Sequence, residues 1–308
     1  MARARRGARA SRAGAIPYLY LAPAIALFCF FVAVPIGYTV YLSLRRAKFS
    51  GLGLGKGSRK EIFVGLDNYR AAISDGEFWA SWVRVLGYAI GVLVLMLGLA
   101  LVFALLLDSA TVRFGRFSRI AIFLPYAVPA VVATLLWGFL YLPSLSPIHD
   151  LLEAVGITGV DLLGPGTVVF SMANIAIWGG TGFNMLVLYT QLRSISRDYY
   201  EAARIDGASE WAIALRIKVP MLVPAIVLTT VFSIIATIQV FSEPVTLRPI
   251  TNALSSTWSP LMKVYRDAFV TGDLYSAAAT SIVIAVISLI PSLGFLRLVR
   301  RRAFGEDV

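Results

Sequence analysis

Charge is scarce in this chain. Only 15% of its 308 residues are charged, against roughly 25% in an average soluble domain, and this excludes an ordinary soluble class. There is one cysteine, Cys29, and one histidine, His149. A lone cysteine cannot close an intrachain disulfide and leaves the redox compartment open. A lone histidine without Cys or His neighbours reads as a solvated loop residue rather than a metal ligand. The long apolar stretches carry no Asp or Glu at their centres. They hold no paired carboxylates, Cys/His cluster or Ser/His/Asp set for catalysis, and no acid or histidine of the kind that proton-coupled carriers place in the membrane. Sodium coupling through carbonyls and hydroxyls stays open. A nucleotide site is missing too. Residues 51–58, GLGLGKGS, put three residues between Gly51 and Gly55 and a glycine after Lys56, where a phosphate-binding loop needs four and then Ser or Thr. Neither a long low-complexity segment nor an internal repeat of the secondary-transporter kind is found.

What the chain does have is apolar length. It is 58% hydrophobic, and stretches free of Asp, Glu, Lys and Arg run over 13–44, 85–107, 120–149, 162–192, 219–242 and 274–296. A spanning helix needs about 20 mainly apolar residues, so six transmembrane helices and an all-α polytopic membrane fold are expected. The parts are a basic cytoplasmic tail (1–14), a first transmembrane helix (15–44), an external loop (45–84), a permeation core of five helices (85–296) and a cytoplasmic tail (297–308). The apolar run 16–44 is far longer than the roughly 7–15 residues of a signal-peptide core, which marks a retained span. With both termini inside, the cytoplasmic pieces hold 17 Lys and Arg and the external ones 11, the sense required by the positive-inside rule. The net charge of +11 is spread between spans rather than gathered on one face, so anionic lipid, and not nucleic acid, is the expected partner.

The most patterned polar stretch is residues 201–224, EAARIDGASEWAIALRIKVPMLVP. Glu201 to Ile205 forms helix with a carboxylate in its first turn. Asp206 and Gly207 break it, the glycine supplying the positive φ of a helix stop, and helix resumes from Ala208 to Lys218 until Pro220. Trp211, Ala214 and Leu215 share one face. By periodicity this is either an amphipathic helix lying on the membrane surface or a docking knob. The spacing of Glu201-Ala202-Ala203, Asp206-Gly207-Ala208, Ile217, Pro220 and Pro224 resembles the EAA signature of the membrane permease subunits of binding-protein-dependent, ATP-driven ABC importers. Ala214 stands where an aromatic is common, and Val219 where Leu is usual. FVGLDNYR at 63–70 is similar to a segment after the first span in the carbohydrate and glycerol-phosphate uptake group, and FSEP at 241–244 to that group's Phe-x-x-Pro. The stretch 245–258 lacks the glycine-rich turn common there.

The resemblance implies a type I importer permease, maltose-permease-like, with a cytoplasmic EAA coupling helix in which Glu201, Ala202, Ala203, Asp206, Gly207, Ala208, Trp211, Leu215 and Pro220 meet an ATPase. It implies a second related permease, two ATPase subunits, an external binding protein and an inner-membrane location. This chain would carry no cofactor, ATP and Mg residing in the ATPases.

The fourth apolar stretch is the most polar. Asn174, Trp178, Gly180, Phe183 and Asn184 crowd into a few turns, and Thr237 and Gln239 stand in the fifth. Amides facing hydrocarbon are costly, so this face looks inward. Small residues point to close helix packing, and the amides and aromatics to a solute path. The maltose-type resemblance covers Gly180 and Phe183. A neutral pocket of aromatic faces, amides and hydroxyls suits a sugar or related polyol. Arg248, Lys263 and Arg266 outside read as solvated loop residues, and a glycerol-phosphate-type solute is the alternative.

Overall fold

A computed structural model describes residues 18–49, 59–109 and 112–303. The arginine-rich amino terminus and the GLGLGKGS stretch lie outside the described residues. The chain divides into two units, residues 1–74 with 267–283 and residues 75–266 with 284–308.

In the first unit, the helix Tyr18–Ser43 is long and apolar enough to cross a membrane, and none of its apolar window is buried. It contains a π-helical turn at Cys29–Ala33. After it, Arg45–Phe49 pairs antiparallel with Arg59–Phe63, Arg45 opposite Phe63 and Phe49 opposite Arg59. The expectation of an all-α chain is corrected here: the chain is mostly helical but carries a β-hairpin. In the first strand Arg46, Ala47, Lys48 and Phe49 alternate charged and apolar, the period of two that a strand needs. The segment 63–70 fastens this hairpin. Gly65 takes φ +58°, and the buried Asn68 donates from Nδ2 to the carbonyls of Ser43 and Arg45 at 2.9 and 2.6 Å. Arg46 donates to Asn68 Oδ1 at 3.0 Å, and Ser43 Oγ lies 2.6 Å from Tyr69 Oη. Tyr275 Oη donates to Glu61 at 2.9 Å.

The second unit is built on the helices Gly76–Leu107 and Val168–Ser194, which pack along each other more extensively than any other pair. The first begins at Gly76 rather than at the expected 85. Asp75 caps it, accepting from the Glu77 amide at 2.9 Å, as a short oxygen-bearing side chain does at a helix start. Arg84 does not end the span, because its charge is consumed: it donates to Glu77 at 2.7 Å and to the carbonyls of Thr257 and Trp258 at 2.9 and 3.1 Å. At 32 residues this helix is about 48 Å long, more than a bilayer core of about 30 Å requires.

The third apolar stretch is not a straight span. Gly115–Ala127 and Ala130–Leu140 meet at a 98° bend. Pro129 follows Val128, whose ψ is 126°, the extended backbone that a residue before proline prefers. Three helices of the described residues are long and apolar enough to cross a membrane, Tyr18–Ser43, Gly76–Leu107 and Val223–Ile250, and a fourth crossing results if the bent pair is one span. Val168–Ser194 is long but diluted by Asn174, Thr181, Asn184, Gln191 and Arg193. Leu274–Ala303 is apolar from Leu274 to Ile290.

Two clusters form the core of the second unit. One gathers Val85, Tyr88, Val92, Met172, Ile175, Leu247 and Trp258, and the other Ala100, Ala104, Met185, Leu188, Leu192 and Leu222. Small residues at 100 and 104 let the two long helices approach.

Candidate functional site

Two places gather the candidate residues, an exposed elbow and a cavity. The elbow begins with the helix Asp198–Ile205, which carries Glu201, Ala202 and Ala203. Asp206 is its C-cap, and Gly207 takes φ +80°, the turn that the sequence predicts. Ser209 Oγ then caps the next helix, accepting from the Ala212 amide at 3.3 Å. That helix runs Glu210–Ile213, passes through a π-helical turn Ala214–Lys218 and continues as Val219–Met221. Pro220 therefore does not end it. Pro220 comes just after the π-helical turn and Pro224 just after the turn at Leu222, breaks in the regular ladder of the kind that go with proline in a helix.

Trp211 and Leu215, four residues apart, are 77% and 60% exposed, and Ile205 is 86% exposed. Ala208 is half-buried. The anchoring side is the opposite one: Ile213 is fully buried and Tyr200 nearly so. Beneath it, Lys218 Nζ donates to Asp108 Oδ2 at 2.6 Å, both side chains less than a tenth exposed, and the ammonium lies 4.9 Å from the Tyr200 ring centroid. Asp108 is the C-cap of Gly76–Leu107. A carboxylate there opposes the helix dipole, and the lysine offsets both that and the burial. Burial, and next the Asp108 carboxylate, push the Tyr200 hydroxyl up from its ordinary pKa. On the surface, Arg204 donates to Glu210 at 2.8 Å, and this hydrogen bond holds the Glu210 carboxyl below its usual value.

The cavity, of about 810 Å³, is lined by residues of Gly76–Leu107, the bent segment, Val168–Ser194 and the stretch 232–243. Of the expected path residues it brings together Gly180, Phe183, Asn184, Thr237 and Gln239. Asn174 and Trp178 are not on its wall. Asn174 Nδ2 donates to Tyr141 Oη at 2.9 Å, and Trp178 meets Trp137 edge to face with centroids 5.8 Å apart. Asn184 is buried, donating to the Gly180 carbonyl at 3.0 Å and accepting from Ser233 Oγ at 3.2 Å, so it also ties two helices. The glycines divide. A Cβ on Gly182 would collide with the Ile122 carbonyl oxygen and lie 2.8 Å from Phe123 Cα, whereas Gly179 meets nothing within 4 Å. Tyr126 stacks on Phe183 at 4.9 Å.

Two outer residues also depart from expectation. Lys263 is buried and pairs with Asp75 at 3.0 Å. Burial alone would raise the Asp75 carboxyl, yet the Lys263 hydrogen bond and charge, with the Glu77 and Phe78 amides, bring it below the usual range. His149, expected in solvent, is buried, with Nε2 3.2 Å from the Tyr141 carbonyl oxygen. Among the described residues no group of three His, Cys, Asp or Glu could hold a metal ion.

Residues 97–304 match the family model of the binding-protein-dependent transport system inner membrane component. The chain belongs to this family. It is an inner-membrane permease subunit of an ABC importer, not an enzyme. It is 30% identical to the sn-glycerol-3-phosphate transport system permease protein of Escherichia coli O157:H7, over 89% of this chain and 90% of that one. Identity is also 30% to the permease protein of the same description from Agrobacterium fabrum, over 93% and 95%. Its fold matches a bacterial ABC transporter involved in the import of the acidic polysaccharide alginate, with TM-score 0.81 at 22% identity over 96% of this chain and 99% of that one. A bacterial alginate transporter in complex with its pentasaccharide-bound periplasmic protein gives TM-score 0.80 at 20% identity, over 97% and 99%.

Several residues of the permease escaped the sequence reading. Tyr88, Tyr126 and Glu243 line the cavity, the first two from apolar stretches read as spans and the third from the FSEP segment. The buried Lys218–Asp108 pair joins residues 110 positions apart. Its sequence signal is a charge at the end of each of two separate apolar runs, Asp108 after 85–107 and Lys218 before 219–242.

Proposed function

We propose that this permease forms half of a translocation pathway for a sugar or related polyol delivered by an external binding protein. Six membrane crossings, both termini cytoplasmic, belong to this reading, as do a second related permease and two ATPase subunits that bind ATP and Mg. The observation that carries it is the pairing, in one unit, of an exposed apolar elbow with a cavity of ligand-pocket size. Small-ligand pockets span roughly 300–1,000 Å³, and the aromatic faces of Tyr126 and Phe183 beside Gln239 and Thr237 match the C–H and O–H surfaces of a sugar. Exposed Trp211, Leu215 and Ile205 on a rigid bend fit a cleft in an ATPase. Closure of the ATPases then rocks the helices between two packings, an alternating-access switch. Glu201 orients the first helix of the elbow, and Gly207 makes the bend.

The test is reconstitution with the partner subunits. Gly207→Val places a β-branched residue at a φ of +80°, a strain of about 1–3 kcal/mol, without touching any span. Membrane insertion should stay intact while ATP-driven uptake is lost, and full uptake by the variant would refute the elbow's role. A glycerol-phosphate solute is the second reading, favoured by the names of the 30% identical relatives.

A further inference from the structure

The charge of the cavity wall decides between these two solutes. Apart from Glu243, every residue lining the cavity is uncharged at neutral pH, and none is Lys or Arg. No ion pair found among the described residues involves Glu243. The residue sits just past the break that ends the helix Val223–Ile238, in the first turn of Ser242–Leu247. It thus opens onto the cavity beside Gln239, Phe241 and Ser242, with Tyr88 on the facing helix also on the wall. A carboxylate withdrawn from bulk water without a basic partner is costly, and a hydrogen-bond donor brought to it relieves the cost. A phosphate or carboxylate brought there adds like charge in a medium of reduced dielectric, where repulsion at a few ångströms is several times that in water.

We propose that Glu243 is a specificity-determining residue, which makes the cavity take a hydroxyl- or ammonium-bearing solute of zero or positive charge, a neutral sugar or an amino sugar, and turn away phosphorylated and acidic ones. Hydroxyl or ammonium donors of the solute pair with the Glu243 carboxylate, while Tyr126 and Phe183 cover its apolar face. The proposal rests on the cavity being the translocation path, so its test is chosen to read the field in the cavity without any transported solute.

The probes are two methanethiosulfonate reagents, one carrying a trimethylammonium group and one a sulfonate. Ala236, exposed and on the cavity wall, is replaced by cysteine in a Cys29→Ser background of the full chain in nanodiscs, with Phe232→Cys as a second reporter. Rates are measured at pH 8 and normalised to those of 2-mercaptoethanol. The cationic reagent should react roughly tenfold faster than the anionic one, the lower end of the enrichment produced by a charge-lined cleft. Adding Glu243→Gln should bring the ratio to about one, and Glu243→Lys should invert it. A ratio of one with Glu243 in place overturns the proposal, as does a ratio that Glu243→Gln leaves unchanged. A thiol that neither reagent reaches overturns it as well, since such a cavity admits no solute. Failure of the importer reading is visible separately, as absence of ATP-driven uptake, and leaves the rate ratio untouched.

Discussion

The elbow and the cavity wall are built on opposite rules. On the elbow, large apolar side chains face outward: Trp211, Leu215 and Ile205 are all well over half exposed. On the wall, polar and small ones face inward: Asn184, Ser233 and Thr237 are buried between helices. The first arrangement leaves an apolar surface for a protein partner to cover, and the second keeps amides and hydroxyls away from lipid. The two are joined by a buried ion pair. Lys218, at the end of the elbow, is bonded to Asp108, at the end of the long cavity-lining helix.

Breaking that link should produce the largest effect on the chain itself. Lys218→Met leaves Asp108 buried and uncompensated, with an expected loss of about 3–5 kcal/mol, read as a lower midpoint in detergent unfolding. Asp108→Leu combined with Lys218→Met should restore most of the stability, because an apolar pair of similar volume removes the desolvation cost. If the double variant regains stability but not coupled uptake, the ion pair transmits motion as well as holding the fold.

A smaller effect sharpens the wall side. Gly182→Val drives a side chain into the backbone of the bent segment at Ile122 and Phe123, and overpacking of this kind costs about 1–3 kcal/mol. Gly179→Val, three residues earlier and facing open space, should leave the unfolding midpoint close to that of the parent. Equal losses at both positions would mean that the glycines serve helix flexibility rather than close approach.

The smallest effect on stability belongs to the elbow. Trp211→Ser removes an exposed side chain, and the free permease should change by less than about 0.5 kcal/mol. Association with the ATPases should weaken by about 2 kcal/mol or more, as for an aromatic anchor at an interface, measured by titrating ATPase subunits onto nanodiscs. A large stability loss in the free chain would show that Trp211 packs within the permease.

Much of the elbow was legible from local chemistry alone. Gly207 has the positive φ that a helix stop demands, and Trp211 and Leu215 share a face because helical period requires it. The cavity was legible only in part. Gly180, Phe183 and Asn184 line it, but Asn174 and Trp178, on the same stretch, are taken up by Tyr141 and Trp137. Periodicity says that a polar face turns inward, and not whether it meets a cavity or another helix.

The sequence by itself determined a charge-poor membrane chain, the place of the bend and the helices on either side of it, because these follow from composition and from nearest-neighbour backbone preference. Only the tertiary structure decided that Arg84 lies within a helix, that His149 and Lys263 are buried, and that Glu243 opens onto a cavity. Each of those depends on partners that lie far away in sequence or on a different element, and on how much water reaches the group once the helices have packed.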